Sequence, residues 1–147
     1  MTLRIYEPRD AEGVLDLANR YAAFDGTTSM ADLEVAGYFP RGAWVAEEGG
    51  EIVGFAYGYF KDVPPSVLER WHASKVAEIA LLVVEKSQRK HGIGTSLITR
   101  LCDEFKKAGA DMVTLACPAA SEDAKSLYDG QGFWVRSYLM AKSLGRD

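Results

Sequence analysis

The chain has 147 residues, which suits one domain with a substantial core. Its hydrophobic share of 48% and its charged share of 26% are ordinary for a globular protein. The net charge of −4 at pH 7 argues against nucleic acid or an anionic membrane as the principal partner. The composition therefore excludes a nucleic-acid-binding module before any motif is considered.

The sequence also lacks the usual signals for a membrane or secreted protein. No apolar run approaches the roughly 20 residues of a membrane span. The N-terminus lacks the basic region and long apolar stretch of a signal peptide. Cys102 and Cys117 are too few for a disulfide framework, so we expect both to be reduced. A cytoplasmic location is the resulting expectation.

The first part of the chain predicts a strand, two helices and a hairpin. Alternation over Leu3–Tyr6 predicts the first strand. A helix is predicted from Pro8 to Ala22, because its apolar residues follow helical spacing. A Ser29 cap predicts a short second helix that reaches Gly37. Two strands, 43–46 and 51–59, are joined by the hairpin signal Glu-Gly-Gly.

The second part predicts alternating strands and helices after a connector. Pro64 and Pro65 end the preceding strand, and residues 66–75 form a connector with room for a helical turn. Apolar runs and helical spacing then predict, in chain order, a strand over 77–84, a helix over 95–108, a strand over 112–117, a helix over 122–131 and a strand over 134–140.

The loop between the strand at 77–84 and the following helix has the sequence Arg-Lys-His-Gly-Ile-Gly. Glycines at 92 and 94 allow the backbone to approach a ligand closely, and the helix start offers free N–H groups to an anion. Arg89 and Lys90 add positive charge beside those donors. The segment lacks the lysine of a Walker loop and the third glycine of a dinucleotide fingerprint. It therefore predicts a diphosphate cradle of another kind.

Arg-x-x-Gly-x-Gly after a strand resembles the signature of the GNAT superfamily, the acetyl-CoA-dependent N-acetyltransferases. The segment 124–133, Ala-Lys-Ser-Leu-Tyr-Asp-Gly-Gln-Gly-Phe, is similar to a second motif of that family. The resemblance implies one domain over 1–147 with an α/β fold, a mixed sheet in the order β-α-α-β-β-β-α-β-α-β. It also implies acetyl-CoA as cosubstrate and no metal.

The same resemblance implies how the cofactor is held. The strand before the loop pairs its backbone with the pantetheine arm, and the loop takes the pyrophosphate. The implied cofactor-binding residues are Leu82, Val83, Val84, Arg89, Lys90, His91, Gly92, Ile93, Gly94 and Thr95. Ser121 stands where many members have Asn, so it could cap the next helix and donate one hydrogen bond to the cofactor.

Two residues are implied to be catalytic. Tyr128 matches the tyrosine that protonates the departing thiolate, although an aromatic residue at this helical position could simply pack in the core. Glu78 matches a general base of some members, and burial is expected to raise its pKa. The alternative for Glu78 is a structural partner of Lys or Arg. Regular strand alternation would place Glu78, Ala80 and Leu82 on one face.

The predicted function is acetyl transfer to a primary amine, directly within a ternary complex. A small-molecule acceptor is favoured, and a protein N-terminus or lysine is the alternative acceptor. A CoA-binding sensor without turnover is the alternative from another functional class. The resemblance also allows a homodimer through the final strands. The candidate acceptor-site residues are Phe24, Asp25, Tyr57, Tyr59, Trp71 and His72.

Overall fold

The computed structural model describes residues 1–21 and 33–145. Five strands form one sheet in the order β1-β2-β3-β4-β5, antiparallel except for the parallel pair β4 and β5. The strands are β1 Thr2–Ile5, β2 Ala43–Glu48, β3 Glu51–Lys61, β4 Val76–Val84 and β5 Met112–Leu115. The helices of the described residues are α1 Ala11–Tyr21, α2 Pro65–Trp71, α3 Ile93–Lys107 and α4 Glu122–Gly130.

The sheet separates two apolar cores. α1 packs on one face, where Val14 and Leu17 meet the β3 residues Phe55 and Tyr57. α3 packs on the other face with Leu97 and Phe105, and α4 contributes Tyr128 to this second core. The predicted mixed α/β architecture is confirmed, and the periodic apolar positions of α1 and α3 are buried as their spacing requires.

Local chemistry explains where these elements begin and turn. Gly49 and Gly50 both have positive φ, as the tight turn of the β2–β3 hairpin requires. Buried Asp10 accepts two hydrogen bonds of 2.8 Å from Arg4 and therefore fastens the start of α1 to β1. On the other face, Arg41 binds buried Glu104 of α3 through two hydrogen bonds. Buried carboxylates are thus paired, as desolvation demands.

A β-bulge in β4 breaks the predicted alternation. Tyr57 pairs with Leu81 and the next residue, Gly58, pairs with Ile79, so Ala80 is the extra residue. Ala80 and Leu81 both pack against the α1 core, whereas Leu82 packs against the α3 core. The expectation that Glu78, Ala80 and Leu82 share one face was therefore wrong for Leu82, because the bulge shifts the alternation by one residue.

Three other predicted elements differ from the structure. The final strand over 134–140 is absent from residues 133–145 as described, because this stretch has no ladder partner. The connector 66–75 holds more than the single helical turn expected, because α2 spans Pro65–Trp71. The predicted second helix, 29–37, begins outside the described residues, and its described part from residue 33 is largely a 3-10 helix over Glu34–Tyr38. In the described part of the chain, no helix is long and apolar enough to cross a membrane.

Candidate active site

The site is built around the end of β4, where the sheet opens. β5 pairs with β4 only as far as Ile79 and Leu115. β4 continues through residues 80–84 with β3 on one side and no strand of the described chain on the other. The free backbone groups of this open edge are available to an extended ligand, as in the addition of a strand to a sheet edge.

The predicted cradle loop lies at the end of this open edge. Gly92 has φ +84 and forms the N-cap of α3 without any side-chain cap, and a Cβ placed on it would meet open space. The first N–H groups of a helix have no intrahelical partner, so the start of α3 can bind an anion. Lys90 and His91 are exposed in the loop, and Thr95 is exposed in the first turn.

Gly94 marks the point where the loop, β4 and α4 meet. A Cβ on Gly94 would lie 2.7 Å from Leu127 Cδ1, and side-chain atoms of Leu82 and Val84 lie within 4 Å of the same point. The two strand residues therefore line the α3 side of the opening, whereas Val83 is buried on the α1 side. Only glycine fits here without moving Leu127.

The side chain of Arg89 makes two specific contacts within the protein. Its Nε donates a hydrogen bond of 3.1 Å to the carbonyl oxygen of Val84. The guanidinium lies over the ring of Tyr21, with Cζ 5.0 Å from the ring centroid. The Tyr21 hydroxyl donates to the carboxylate of Glu85, which also pairs with Arg20 at 2.9 Å. The end of α1 is thereby attached to the cradle loop.

Tyr128 lies on the α3 side of the sheet and is 8% exposed. Its ring meets Phe133 edge-on at 5.7 Å between centroids. Burial, with a smaller contribution from the Cys117 thiol, raises the pKa of the Tyr128 phenol to about 12. Among the described residues its hydroxyl has no recorded hydrogen-bond partner, so the phenol is protonated and its proton is available to a ligand.

Glu78 lies on the opposite face and is held by three donors. Tyr59 Oη donates to one carboxylate oxygen at 2.8 Å, while Lys61 Nζ at 3.0 Å and Thr114 Oγ1 at 2.9 Å donate to the other. Burial opposes ionisation of Glu78, but these hydrogen bonds and the Lys61 charge outweigh it and lower the carboxyl pKa. The expected rise in this pKa was wrong, because the carboxylate is partnered as well as buried.

The candidate acceptor residues are only partly assembled. Phe24 and Asp25 lie outside the described residues. Tyr59 joins the Glu78 cluster, where burial and this carboxylate raise the phenol pKa to about 12. The remaining candidates differ in exposure and role: Tyr57 is buried in the α1 core, Trp71 carries the Arg136 guanidinium on its ring, and His72 is an exposed αL residue ending α2.

Ser121 forms the N-cap of α4, because its hydroxyl accepts a hydrogen bond of 3.2 Å from the Ala124 N–H. The capping role that the sequence suggested is confirmed.

Sequence reasoning missed three residues that contact predicted site residues: Lys61, Thr114 and Tyr21. Each is distant in sequence from its partner, and only the pairing of β3 and of β5 with β4 could have indicated Lys61 and Thr114.

Comparison with known proteins gives the family. The profile of the acetyltransferase (GNAT) family matches residues 11–133. A curated L-2,4-diaminobutyric acid acetyltransferase of Nocardia farcinica is 30% identical over 107 residues, which are 73% of this chain and 51% of that protein. The chain thus spans about half the length of this relative.

Solved structures agree in fold. Glucosamine-6-phosphate N-acetyltransferase of Arabidopsis thaliana superposes with a TM-score of 0.74 at 22% identity, covering 98% of each chain. An aminoglycoside N-acetyltransferase in complex with CoA gives a TM-score of 0.75 at 15% identity and covers 99% of this chain and 100% of its own. The match of the family profile over most of the sequence shows that the chain belongs to the acetyltransferase (GNAT) family.

Proposed function

We propose that this protein transfers an acetyl group from acetyl-CoA to a primary amine, directly within a ternary complex. The observation that carries the proposal is the opening between β4 and β5, with a glycine-rich helix start at its end. A phenol lies on one face of the sheet beside this opening, and a carboxylate lies on the other. Acetyl-CoA supplies the activated acyl group as a thioester.

Binding of the cofactor falls to backbone groups. The open edge of β4 at residues 82–84 would pair with the pantetheine arm, with the Val84 carbonyl already bound by Arg89, and the N–H groups at 92–95 face the diphosphate. The open space beside Gly92 supports this fit, because nothing lies within 4 Å of a Cβ placed there. Arg89, Lys90 and His91 border the same loop, and Ser121 starts the helix that carries Tyr128.

Proton movement is assigned to the two side chains at the opening. Tyr128 keeps its proton at neutral pH and delivers it to the leaving sulfur, since its hydroxyl has no recorded partner within the described chain. Glu78 receives the proton of the acceptor amine, through water as the family resemblance implies. The three hydrogen bonds and the Lys61 charge lower its pKa, so the carboxylate is ionised and able to take this proton when the acceptor binds.

A small amine is the proposed acceptor. The curated relative named above is a diamino acid acetyltransferase, and the two solved structures are named for amino sugars and aminoglycosides. A second copy of the chain is a proposed partner, because the exposed apolar residues Trp134, Tyr138, Leu139 and Met140 follow one another in the unpaired C-terminal segment.

The test is calorimetric titration of the protein with acetyl-CoA, with CoA and ATP as controls, followed by thiol release with a panel of amines. We expect micromolar binding of acetyl-CoA and CoA, no comparable binding of ATP, and thiol release with a small primary amine. Release only with peptide amines would move the proposal to a protein acceptor. Binding without release for any amine would identify a CoA sensor, and no binding would refute the cofactor site.

A further inference from the structure

The direction of one carbonyl places Arg89 at the open edge of β4. The N–H of Glu85 donates to the carbonyl of Val53 on β3 at 2.8 Å. In a trans peptide the C=O and the N–H point in opposite directions. The carbonyl of Val84 therefore points away from β3, toward the side that lacks a strand. By binding this oxygen, Arg89 Nε fixes the guanidinium beside the opening.

The outer part of the guanidinium is available to a ligand. Within residues 1–21 and 33–145, neither Nη nitrogen of Arg89 has a recorded hydrogen bond or ion pair, and the side chain is exposed. A guanidinium whose Nε is already anchored presents its remaining N–H groups in a fixed plane, which suits two-point binding of a phosphate. The same side chain begins the cradle loop that ends at Gly94.

Tyr21 sets the orientation of this guanidinium by packing against its face. The ring lies under Arg89, and Arg20 approaches the same ring at 5.4 Å. The ring is held in turn by the bond from its hydroxyl to Glu85, the residue that follows β4. A residue at the end of α1 thus orients a side chain of the cofactor loop, although the two segments are far apart in sequence.

We propose that Tyr21 is a positioning residue for the cofactor, acting through Arg89, whose guanidinium it directs toward the diphosphate. The inference rests on the proposed function, because it takes CoA as the ligand of the loop. It assigns Tyr21 no contact with the reacting atoms.

A double-mutant cycle on CoA binding tests the proposal by calorimetry. Tyr21→Leu removes the ring face and should weaken CoA binding about fivefold, the scale of one cation–π contact. Arg89→Met should weaken it on the order of tenfold, as expected for a charge-assisted contact with phosphate. Because Tyr21 acts through Arg89, Tyr21→Leu should have almost no further effect in the Arg89→Met background.

Two variants separate positioning from general damage. Tyr21→Phe keeps the ring face but loses the hydroxyl bond to Glu85, so it should weaken CoA binding clearly less than Tyr21→Leu does. Arg9→Met removes an equal charge from an exposed ion pair with Glu7, away from the loop, and should leave the affinity unchanged. If the double variant lost CoA affinity by the product of the two single losses, Tyr21 and Arg89 would act independently and the proposal would be overturned. Equal losses of affinity in Tyr21→Phe and Tyr21→Leu would also overturn it.

If Tyr21→Leu unfolds, Arg89→Lys decides the question. Lysine keeps the charge but lacks the planar group that stacks on the ring and the Nε donor. We expect it to bind CoA nearly as weakly as Arg89→Met, and wild-type affinity would overturn the proposal. Failure of the wild type itself to bind CoA would instead refute the proposed function, so the two failures are distinguishable.

Discussion

The hydroxyl of Tyr128 is the group whose removal should slow transfer most selectively. Tyr128→Phe keeps the buried ring and its contact with Phe133 but removes the proton that the leaving sulfur needs. We expect the turnover rate to fall about 100-fold, within the range for loss of a general acid, while CoA affinity stays near the wild-type value. Thiol release and calorimetry measure the two quantities. A variant that retains full turnover would remove Tyr128 from the mechanism.

The lowered pKa of Glu78 makes its contribution to stability depend on pH. A carboxyl with a lower pKa in the folded state stabilises the fold above its unfolded pKa, ordinarily 4.5, and loses this contribution as the pH falls through the folded value. The wild type should therefore be more stable than Glu78→Gln near neutral pH, and the difference should shrink below about pH 4. Thermal unfolding of both proteins across this range measures it.

The catalytic effect of the same substitution should have a different pH dependence. Because Glu78 is ionised throughout the neutral range, the loss of activity in Glu78→Gln should not vary with pH near neutrality. An activity loss confined to the neutral range, with recovery at higher pH, would mean that the carboxyl titrates there. Such a profile would contradict the hydrogen-bonded arrangement with Tyr59, Lys61 and Thr114.

At the scale of elements, the N-cap position of α3 should not tolerate a β-branched side chain. Gly92→Val puts such a residue at φ +84, which costs about 1–2 kcal/mol of folding free energy, and it places a side chain in the open space proposed for the diphosphate. We expect CoA binding to be lost in calorimetry. Gly37→Val is the matched control, since a Cβ at Gly37 also meets open space and its φ is not positive. Unchanged CoA affinity in Gly92→Val would refute the cradle.

The sequence was sufficient for the elements that local pattern determines. The hairpin at 49–50, the stripe of α3 and the glycine loop follow from residue type and spacing, and each lies where it was predicted. The bulge at Ala80 could not be foreseen, because it depends on the register between β3 and β4. The partners of Glu78 escaped prediction for the same reason, since Lys61 and Thr114 reach it only across paired strands.

The predicted final strand was wrong for a different reason, which is the lack of a pairing partner within the described residues. Residues 134–140 have the composition of a strand, but a strand also needs a neighbour with free backbone groups. In the described chain, β5 pairs with β4 alone, and the C-terminal segment remains exposed. The local sequence therefore favours a strand, but a single copy of the described chain offers no neighbouring strand for it to pair with.

At the scale of the whole molecule, that exposed segment should govern self-association. Tyr138 and Leu139 are 84% and 99% exposed, and burying them against a second copy would remove a large apolar surface from water. We expect the wild type to sediment as a dimer and the double variant Tyr138→Asp, Leu139→Asp to sediment as a monomer. Tyr38→Asp, another exposed aromatic outside this segment, should leave the dimer intact. A monomeric wild type would refute the proposed partner.

The bulge in β4 contributes to the opening between β4 and β5 but is not needed for the packing of either core. On either side of Ala80 the side chains alternate regularly between the two cores, with Ile79 and Leu82 on the α3 side and Leu81 on the α1 side. Deleting this one residue would leave every apolar neighbour in its own layer while removing the bend that a bulge imposes. We expect the shortened chain to fold with a straighter sheet that no longer admits a ligand. The shortened chain would then keep both cores and lose the proposed cofactor site, which calorimetric titration with CoA would measure.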